Sequence, residues 1–102
     1  MPEMRFRVSW PDDTSETCYS PSLVIKDYFA VGQSYALAEF LTRSWTALKI
    51  ASDRVQVKYG RPCGRALAQL TRIETVSRTF VGVTNARVAV DAFEETHSRN
   101  ED

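Results

Sequence analysis

The chain has 102 residues, of which 43% are hydrophobic and 25% charged, a composition that suits one globular domain. Its 13 basic and 13 acidic side chains balance, whereas nucleic-acid-binding proteins usually carry a basic excess because phosphate contacts dominate their affinity. Two cysteines do not make a disulfide scaffold, no apolar segment approaches the ~20 residues that span a bilayer, and the N-terminus lacks the apolar run of a signal peptide. We therefore expect a cytoplasmic protein with reduced thiols that binds neither nucleic acid nor membrane.

The N-terminal residues predict a β-hairpin. Apolar and polar residues alternate from Met4 to Trp10, which is the period-two pattern of a strand with one buried face. The residues PDDT at positions 11–14 predict a turn, because proline fixes φ and aspartate tolerates turn geometry. A second strand is expected from Glu16 to Ser20, and Pro21 ends it since proline cannot donate to a ladder.

The segment Cys18–Phe29, which follows the hairpin, allows two structural interpretations. A capping serine with proline at the first helical position predicts a short helix over Pro21–Tyr28. A strand over Leu23–Ile25 is the competing interpretation. Residues 30–33 are then expected to form a loop.

Helical spacing predicts an antiparallel helical hairpin in the middle of the chain. Ser34 is expected to cap a long helix over Tyr35–Tyr59, and Gly60 to end it in a left-handed cap. After this short break a second helix is expected over Cys63–Thr79. The predicted inner faces are Leu37, Leu41, Ser44, Leu48, Ala51 and Val55 on the first helix, and Cys63, Ala66, Leu70, Ile73, Ser77 and Phe80 on the second.

A third strand completes the predicted fold. Alternation predicts this strand over Ala86–Phe93, and residues 94–102, with the only histidine, His97, read as a polar and disordered tail. Residues 1–93 then form a single α+β domain of order β-β-(short helix)-α-α-β, with a three-stranded sheet packed on the helical hairpin. Since so few strands leave open edges, we expect two chains to pair, with a dimer favoured. The outer sheet face is expected to show Arg5, Arg7, Arg87, Asp91 and Phe93.

Aromatic residues around the Cys18–Phe29 segment indicate a contact surface. Tyrosine has an apolar body and a polar tip, which suits interfaces. The candidate interface residues are Tyr19, Asp27, Tyr28, Phe29 and Tyr35. The alternative is that Leu23, Ile25 and Phe29 plug the end of the core while the tyrosines cover it. Both interpretations hold if these buried side chains position the segment while the tyrosines face outward.

Four arginines, Arg54, Arg61, Arg65 and Arg72, gather on or near the helical hairpin. Their guanidinium groups are candidates to contact an anion or a partner carboxylate. Ordinary surface pairing, with Asp53 and Glu74 as the partners, is the alternative.

Cys63 lies near the start of the second predicted helix, beside basic residues. Helix starts and nearby cations lower the pKa of a thiol, so a reactive thiolate is the alternative here, whereas we expect the side chain to pack as a small hydrophobe. No general base, glycine-rich phosphate loop or metal-ligand spacing accompanies it. The sequence therefore indicates no catalytic residue, no cofactor and no metal site.

Five strings occur in an order that resembles a small family of bacterial nitrogen-starvation-response proteins: MRFRVSWPD, TCYSPSLVIKDYF, SYALAEFLTRS, IASDRVQVKYG and CGRALAQL. The resemblance covers roughly Met1–Phe93. In two places the chain departs from the family pattern, which often has Asp-Gly at Asp12-Asp13 and proline at Ala36. The resemblance implies a cytoplasmic accessory role in using or scavenging nitrogen compounds, within a gene cluster that includes a nitrilase. It implies no catalytic or binding residue.

Two classes of function follow. We expect a non-enzymatic accessory or regulatory protein of that pathway, acting as a small interaction module whose partner is a second copy or a protein of the nitrilase cluster. The alternative is a small-molecule-binding protein or weak enzyme with a site between the 18–29 segment and the helix ends, using Asp27, Tyr28, Arg54 and Cys63. A deep pocket lined by these side chains favours the alternative, and a flat aromatic patch favours the module. A DNA-binding regulator fits less well, because the first long helix is too long for a helix-turn-helix.

Overall fold

The computed structural model describes residues 3–96 of the chain. The elements are β1 (Glu3–Ser9), β2 (Ser15–Ser20), α1 (Ile25–Tyr28), β3 (Ser34–Ala36), α2 (Leu37–Tyr59), α3 (Gly64–Arg78) and β4 (Arg87–Thr96). The α+β class is confirmed, and the segment after the hairpin contains a short helix rather than a strand. β4 continues past the predicted end at Phe93, whereas His97 and the rest of the predicted tail lie outside the described residues.

The sheet has four strands, so the prediction of three was wrong. Their order is β2-β1-β4-β3, and all neighbouring strands are antiparallel. The missed strand, β3, includes Ser34, which was expected to cap a helix. The backbone around β3 bonds to β4 instead: Gly32 N donates to Val90 O over 2.8 Å, and Leu37 N donates to Ala86 O over 3.1 Å. These ladder bonds explain why α2 begins at Leu37 without a side-chain cap.

A β-bulge in β4 changes which side chains face outward. The register against β1 shifts between Arg7 and Val8, so that Val8 pairs with Val90 while Arg7 pairs with Ala92. An extra residue in one strand reverses the alternation beyond it. The outward position predicted for Phe93 was therefore wrong: it pairs with Phe6 and packs against the core.

The core lies between one sheet face and the helices. The predicted inner faces of α2 and α3 are confirmed, since every member is buried or half-buried. The buried cluster includes Met4, Phe6, Val8, Cys18, Val88 and Val90 from the strands, and Phe40, Ala47, Leu48, Ala66, Leu70 and Ile73 from the helices. Trp10 closes one end of the sheet, with its ring 5.5 Å from that of Phe40 and 6.1 Å from that of Phe80.

The β1–β2 turn is held by its own polar residues. Asp13 adopts a φ of 68°, a left-handed conformation that glycine takes without strain and aspartate tolerates. Asp12 Oδ1 accepts hydrogen bonds from Thr14 Oγ1 over 2.6 Å and from Thr14 N over 3.1 Å. The hydroxyl bond is the main reason why the pKa of Asp12 is lowered.

Side chains of α3 cover the outer edge of β2. The Tyr19 N–H, which points away from β1, donates to Gln69 Oε1 over 2.9 Å. Arg72 reaches Glu16 with an N–O distance of 3.0 Å. The predicted dimer stays a prediction, but pairing at the β2 edge would have to displace these α3 side chains.

Candidate functional site

The segment after β2 is anchored by a phenylalanine. Phe29 is 3% exposed, and its ring centroid lies 5.2 Å from that of Tyr35, 5.3 Å from Phe40 and 6.1 Å from Phe6. The ring therefore plugs the core, as the alternative interpretation proposed, and is not accessible to a partner. Among the predicted interface residues, Phe29 thus belongs to the packing of the domain.

Tyr28 and Tyr35, the tyrosines before and after Phe29 in the sequence, both contact Arg43, a residue that the sequence analysis did not identify. Arg43 Nη1 donates to the backbone oxygen of Tyr28 over 2.8 Å, and its guanidinium carbon lies 5.1 Å from the ring centroid of Tyr35. Glu39, one turn earlier on α2, holds the guanidinium with an N–O distance of 2.8 Å. The only sequence signal for this arrangement was the i,i+4 spacing of Glu39 and Arg43. Tyr35 also accepts a hydrogen bond at its hydroxyl from Ala30 N over 2.9 Å.

A partly apolar stripe continues from this point along α2. Arg43, Ile50 and Val57 are seven residues apart and so share one helix face, which we call the α2 stripe. Val57 is 88% exposed, although it is apolar. A shallow concavity of about 320 Å³ is lined by Ile50, Asp53, Arg54 and Val57.

The α2 stripe borders the segment after β2 along its length. At one end Arg43 contacts Tyr28, and at the other Arg54 Nη1 donates to Ser22 Oγ over 3.0 Å. Asp27 is exposed on α1 between these two contacts. The backbone of Tyr28 and the ring of Tyr35 therefore lie against Arg43 at one end of the stripe, whereas Asp27 is exposed on α1.

Tyr19 lies apart from this surface, at the edge of the sheet. Its ring stacks beneath Arg65, whose guanidinium carbon is 3.9 Å from the ring centroid, and Arg65 also reaches Glu3 over 3.5 Å. Burial, with the nearby Glu3 carboxylate as a smaller cause, raises the pKa of Tyr19 to about 12. This tyrosine is part of the cover on the β2 edge.

The predicted anion-contacting residues do not converge on one point. Arg54 binds Ser22, Arg65 binds Glu3 and Tyr19, and Arg61 is exposed in the turn between the helices. Cys63 is half-buried, and its backbone N–H donates to Ser52 Oγ over 3.2 Å. Arg54, Arg65 and Cys63, near this end of the helical hairpin, therefore contact different partners.

The surface pairing proposed for the arginines occurs, but with different partners. Asp53 pairs with Lys49 over 3.2 Å, not with Arg54, and Arg72 pairs with Glu16 across to β2. The prediction that Asp53 and Glu74 serve the arginines was therefore wrong. Exposed pairs of this kind stabilise a fold by about 1 kcal/mol or less.

The other cysteine, Cys18, is buried in the core at 1% exposure. Burial raises the pKa of its thiol to about 12, with the Glu16 carboxylate as a smaller cause. The thiol is therefore protonated at neutral pH and packs as a small apolar group. Both cysteines are free.

A second concavity lies between the start of α2 and the end of α3. It is a groove of about 500 Å³, and its wall contains Leu37, Leu41, Ser77, Phe80 and Val83. None of Asp27, Tyr28, Arg54 and Cys63 belongs to this wall. This groove is therefore not the site that was predicted for the alternative function.

These features define a small α+β domain with one partly apolar helical surface and one apolar groove. Within residues 3–96, no helix has the length and apolarity needed to cross a membrane. The family model described as nitrogen starvation-induced protein NitG matches residues 5–93, and the chain belongs to this family. No curated protein and no solved structure matches the chain.

Proposed function

We propose that this member of the nitrogen starvation-induced family is a non-enzymatic accessory or regulatory protein in the cytoplasm, which acts by binding a partner protein through the α2 stripe. The observation behind this proposal is the 88% exposure of Val57 at the end of a stripe that Arg43 joins to Tyr28 and Tyr35. The stripe thus carries an exposed apolar side chain at one end and arginine and aromatic side chains at the other, and protein interfaces are enriched in arginine and aromatic residues.

The ionisable groups next to the stripe support a binding role rather than a catalytic one. Glu39 is held by Arg43 and Asp53 by Lys49, while Lys26 pairs with Glu95. The first two pairs lie within α2, whereas the Lys26–Glu95 pair and the hydrogen bond from Arg43 to Tyr28 O hold α1 against β4 and α2. A rigid surface loses little conformational entropy when it binds.

The concavity between Ile50 and Val57 indicates which side chains the partner's contact segment should carry. Its apolar sides accept an apolar side chain. Arg54 donates one hydrogen bond to Ser22 and has further N–H groups, whereas Asp53 beside it is paired with Lys49. The partner should therefore place an apolar side chain between Ile50 and Val57, with a carboxylate on Arg54.

The occupant that we propose is another protein of the nitrogen-starvation response. Products of the nitrilase-containing cluster implied by the sequence resemblance are the first candidates. A second copy of this chain, the dimer predicted from the sequence, is the competing occupant.

The test is affinity capture by the tagged chain from nitrogen-starved cells, followed by reconstitution with the purified partner. Val57→Asp should abolish binding, because it places a charge in the apolar contact. Val81→Asp is the matched control, since Val81 is 75% exposed but lies in the groove at the other end of α2. Arg54→Gln should weaken the reconstituted complex about tenfold, as expected for one lost hydrogen bond to a charged group.

Two results would contradict the proposal. One is a reconstituted complex that Val57→Asp leaves intact. The other is a wild-type dimer in light scattering that Val57→Asp dissociates, because a second copy of the chain would then occupy the stripe.

A further inference from the structure

The groove between α2 and α3 has the dimensions and lining of a small-molecule site. Ligand pockets typically measure about 300–1,000 Å³, are mostly apolar and contain a few polar groups that orient the ligand. This groove measures about 500 Å³. Its wall is formed by Leu37, Ala38, Leu41, Glu74, Ser77, Arg78, Phe80, Val81, Val83, Asn85 and Ala86.

One residue of this wall, Ser77, has a side-chain oxygen that lacks a hydrogen-bond partner. The side chain of Ser77 is 3% exposed, and its Oγ is buried without a hydrogen bond to any described residue. A buried hydroxyl in this state carries a free-energy penalty that a ligand's polar group would remove. Ser77 therefore supplies a reason for binding beyond apolar contact.

Two opposite charges in the wall restrict the ligand's head group. Glu74 and Arg78 are one helical turn apart on α3, and neither forms an ion pair among residues 3–96. A carboxylate would be attracted by Arg78 and repelled by Glu74, and an ammonium group the reverse. A primary carboxamide fits both charges, because its N–H groups can donate to Glu74 while its oxygen accepts from Arg78 or Ser77.

We propose that the groove binds a small neutral molecule with an apolar body and a primary carboxamide head group. The apolar body lies against Leu37, Leu41, Phe80 and Val83. The carboxamide lies against the charged pair on α3, and the buried Ser77 hydroxyl comes within its reach by rotation about χ1. This site is separate from the α2 stripe and does not depend on the function proposed for it.

The probe is octanamide, compared with octanoate and octylammonium, which have the same chain length and charged head groups. Each is titrated into the full-length chain and followed by two-dimensional NMR of the backbone amides. We expect saturable shifts at residues 37–41 and 77–86. Because the head group adds hydrogen bonds that the charged analogues make less well, the Kd of octanamide should be about threefold to tenfold lower.

Two matched pairs of variants locate the site. Ala38→Trp fills the groove from an exposed position and should abolish the shifts, whereas Ala68→Trp, at an exposed position of α3 outside the wall, should not. Ser77→Ala should raise the Kd of octanamide about threefold to tenfold. Ser44→Ala removes another buried hydroxyl without a partner, outside the groove wall, and should leave the Kd unchanged.

The proposal is wrong if no probe binds saturably, if all three head groups bind equally, or if Ala38→Trp retains the shifts. It is also wrong if the wild-type chain self-associates and Ala38→Trp alone prevents this, because a second copy would then fill the groove. None of these results affects partner binding at Val57, so failure here is distinguishable from failure of the proposed function.

Discussion

Replacing Phe29 by alanine tests whether the segment after β2 is part of the core. The ring is 3% exposed and contacts the rings of Phe6, Tyr35 and Phe40, so the change removes a fully packed aromatic side chain. Phe→Ala in a core typically costs about 3–5 kcal/mol, since a cavity adds to the lost transfer free energy. The total free energy of unfolding of such a domain is about 5–15 kcal/mol, so the loss is a large share of it.

Urea unfolding at equilibrium measures this cost. With an m-value of about 2 kcal/mol per molar urea, a loss of about 4 kcal/mol lowers the midpoint by about 2 M. Val31→Ala is the matched control, because Val31 follows in the same loop but is 49% exposed, and it should change stability by about 0.5 kcal/mol or less. A cost below about 1 kcal/mol for Phe29→Ala would refute the assignment of this ring to the core.

Three further predictions concern the thiols and the β2 edge. Maleimide should label Cys63 in the folded chain but Cys18 only after unfolding, because Cys18 is buried and its pKa is about 12; equal labelling of both in intact-mass measurements would contradict this. The pKa of Tyr19 is raised from 10.0 to about 12, so between these pH values the folded chain keeps a proton that the unfolded chain releases. The resulting contribution to the free energy of unfolding should be fully present below pH 10 and lost as the pH rises through 12. Urea unfolding across that range should show the loss, and Tyr19→Phe should reduce it. Gln69→Ala should speed hydrogen exchange at the Tyr19 amide and cost about 0.5–1.5 kcal/mol, since that N–H loses its acceptor; unchanged exchange would contradict the contact.

The long elements were predictable from the sequence because periodicity extends over many residues. The pattern from Leu37 to Val55 identified the buried side of α2, and the glycine at position 60 adopts the left-handed φ of 83° expected for a helix end. Local signals of this kind depend only on the residues within each element. They also gave the α+β class, since a one-sided strand pattern and two one-sided helices cover one another.

The missed features of the sheet depend on contacts that are distant in sequence. β3 has only three residues, Ser34–Ala36, which is too short for a period to show, and it forms through hydrogen bonds to β4. The outward placement of Phe93 failed because alternation assumes a regular strand, whereas β4 contains a bulge opposite Arg7 and Val8. A single sequence carries no local sign of either event.

The candidate surface was predictable in part. Tyr28 does contact α2 through its backbone oxygen, but its partner there, Arg43, is fifteen residues away in the sequence and gave no local signal. The groove at Ser77 was read as core, because a serine on an inner helix face gives the same pattern whether or not a cavity lies beside it. Burial patterns identify inward faces, whereas concavities depend on how the helix ends and loops meet.

The measurement that tests the proposed function most directly is hydrogen exchange of the chain alone and in complex with its reconstituted partner. Binding through the α2 stripe predicts new protection in residues 43–57 and 22–28, with residues 77–86 unchanged. Protection confined to residues 77–86 or to the outer sheet face, with residues 43–57 unchanged, would contradict it.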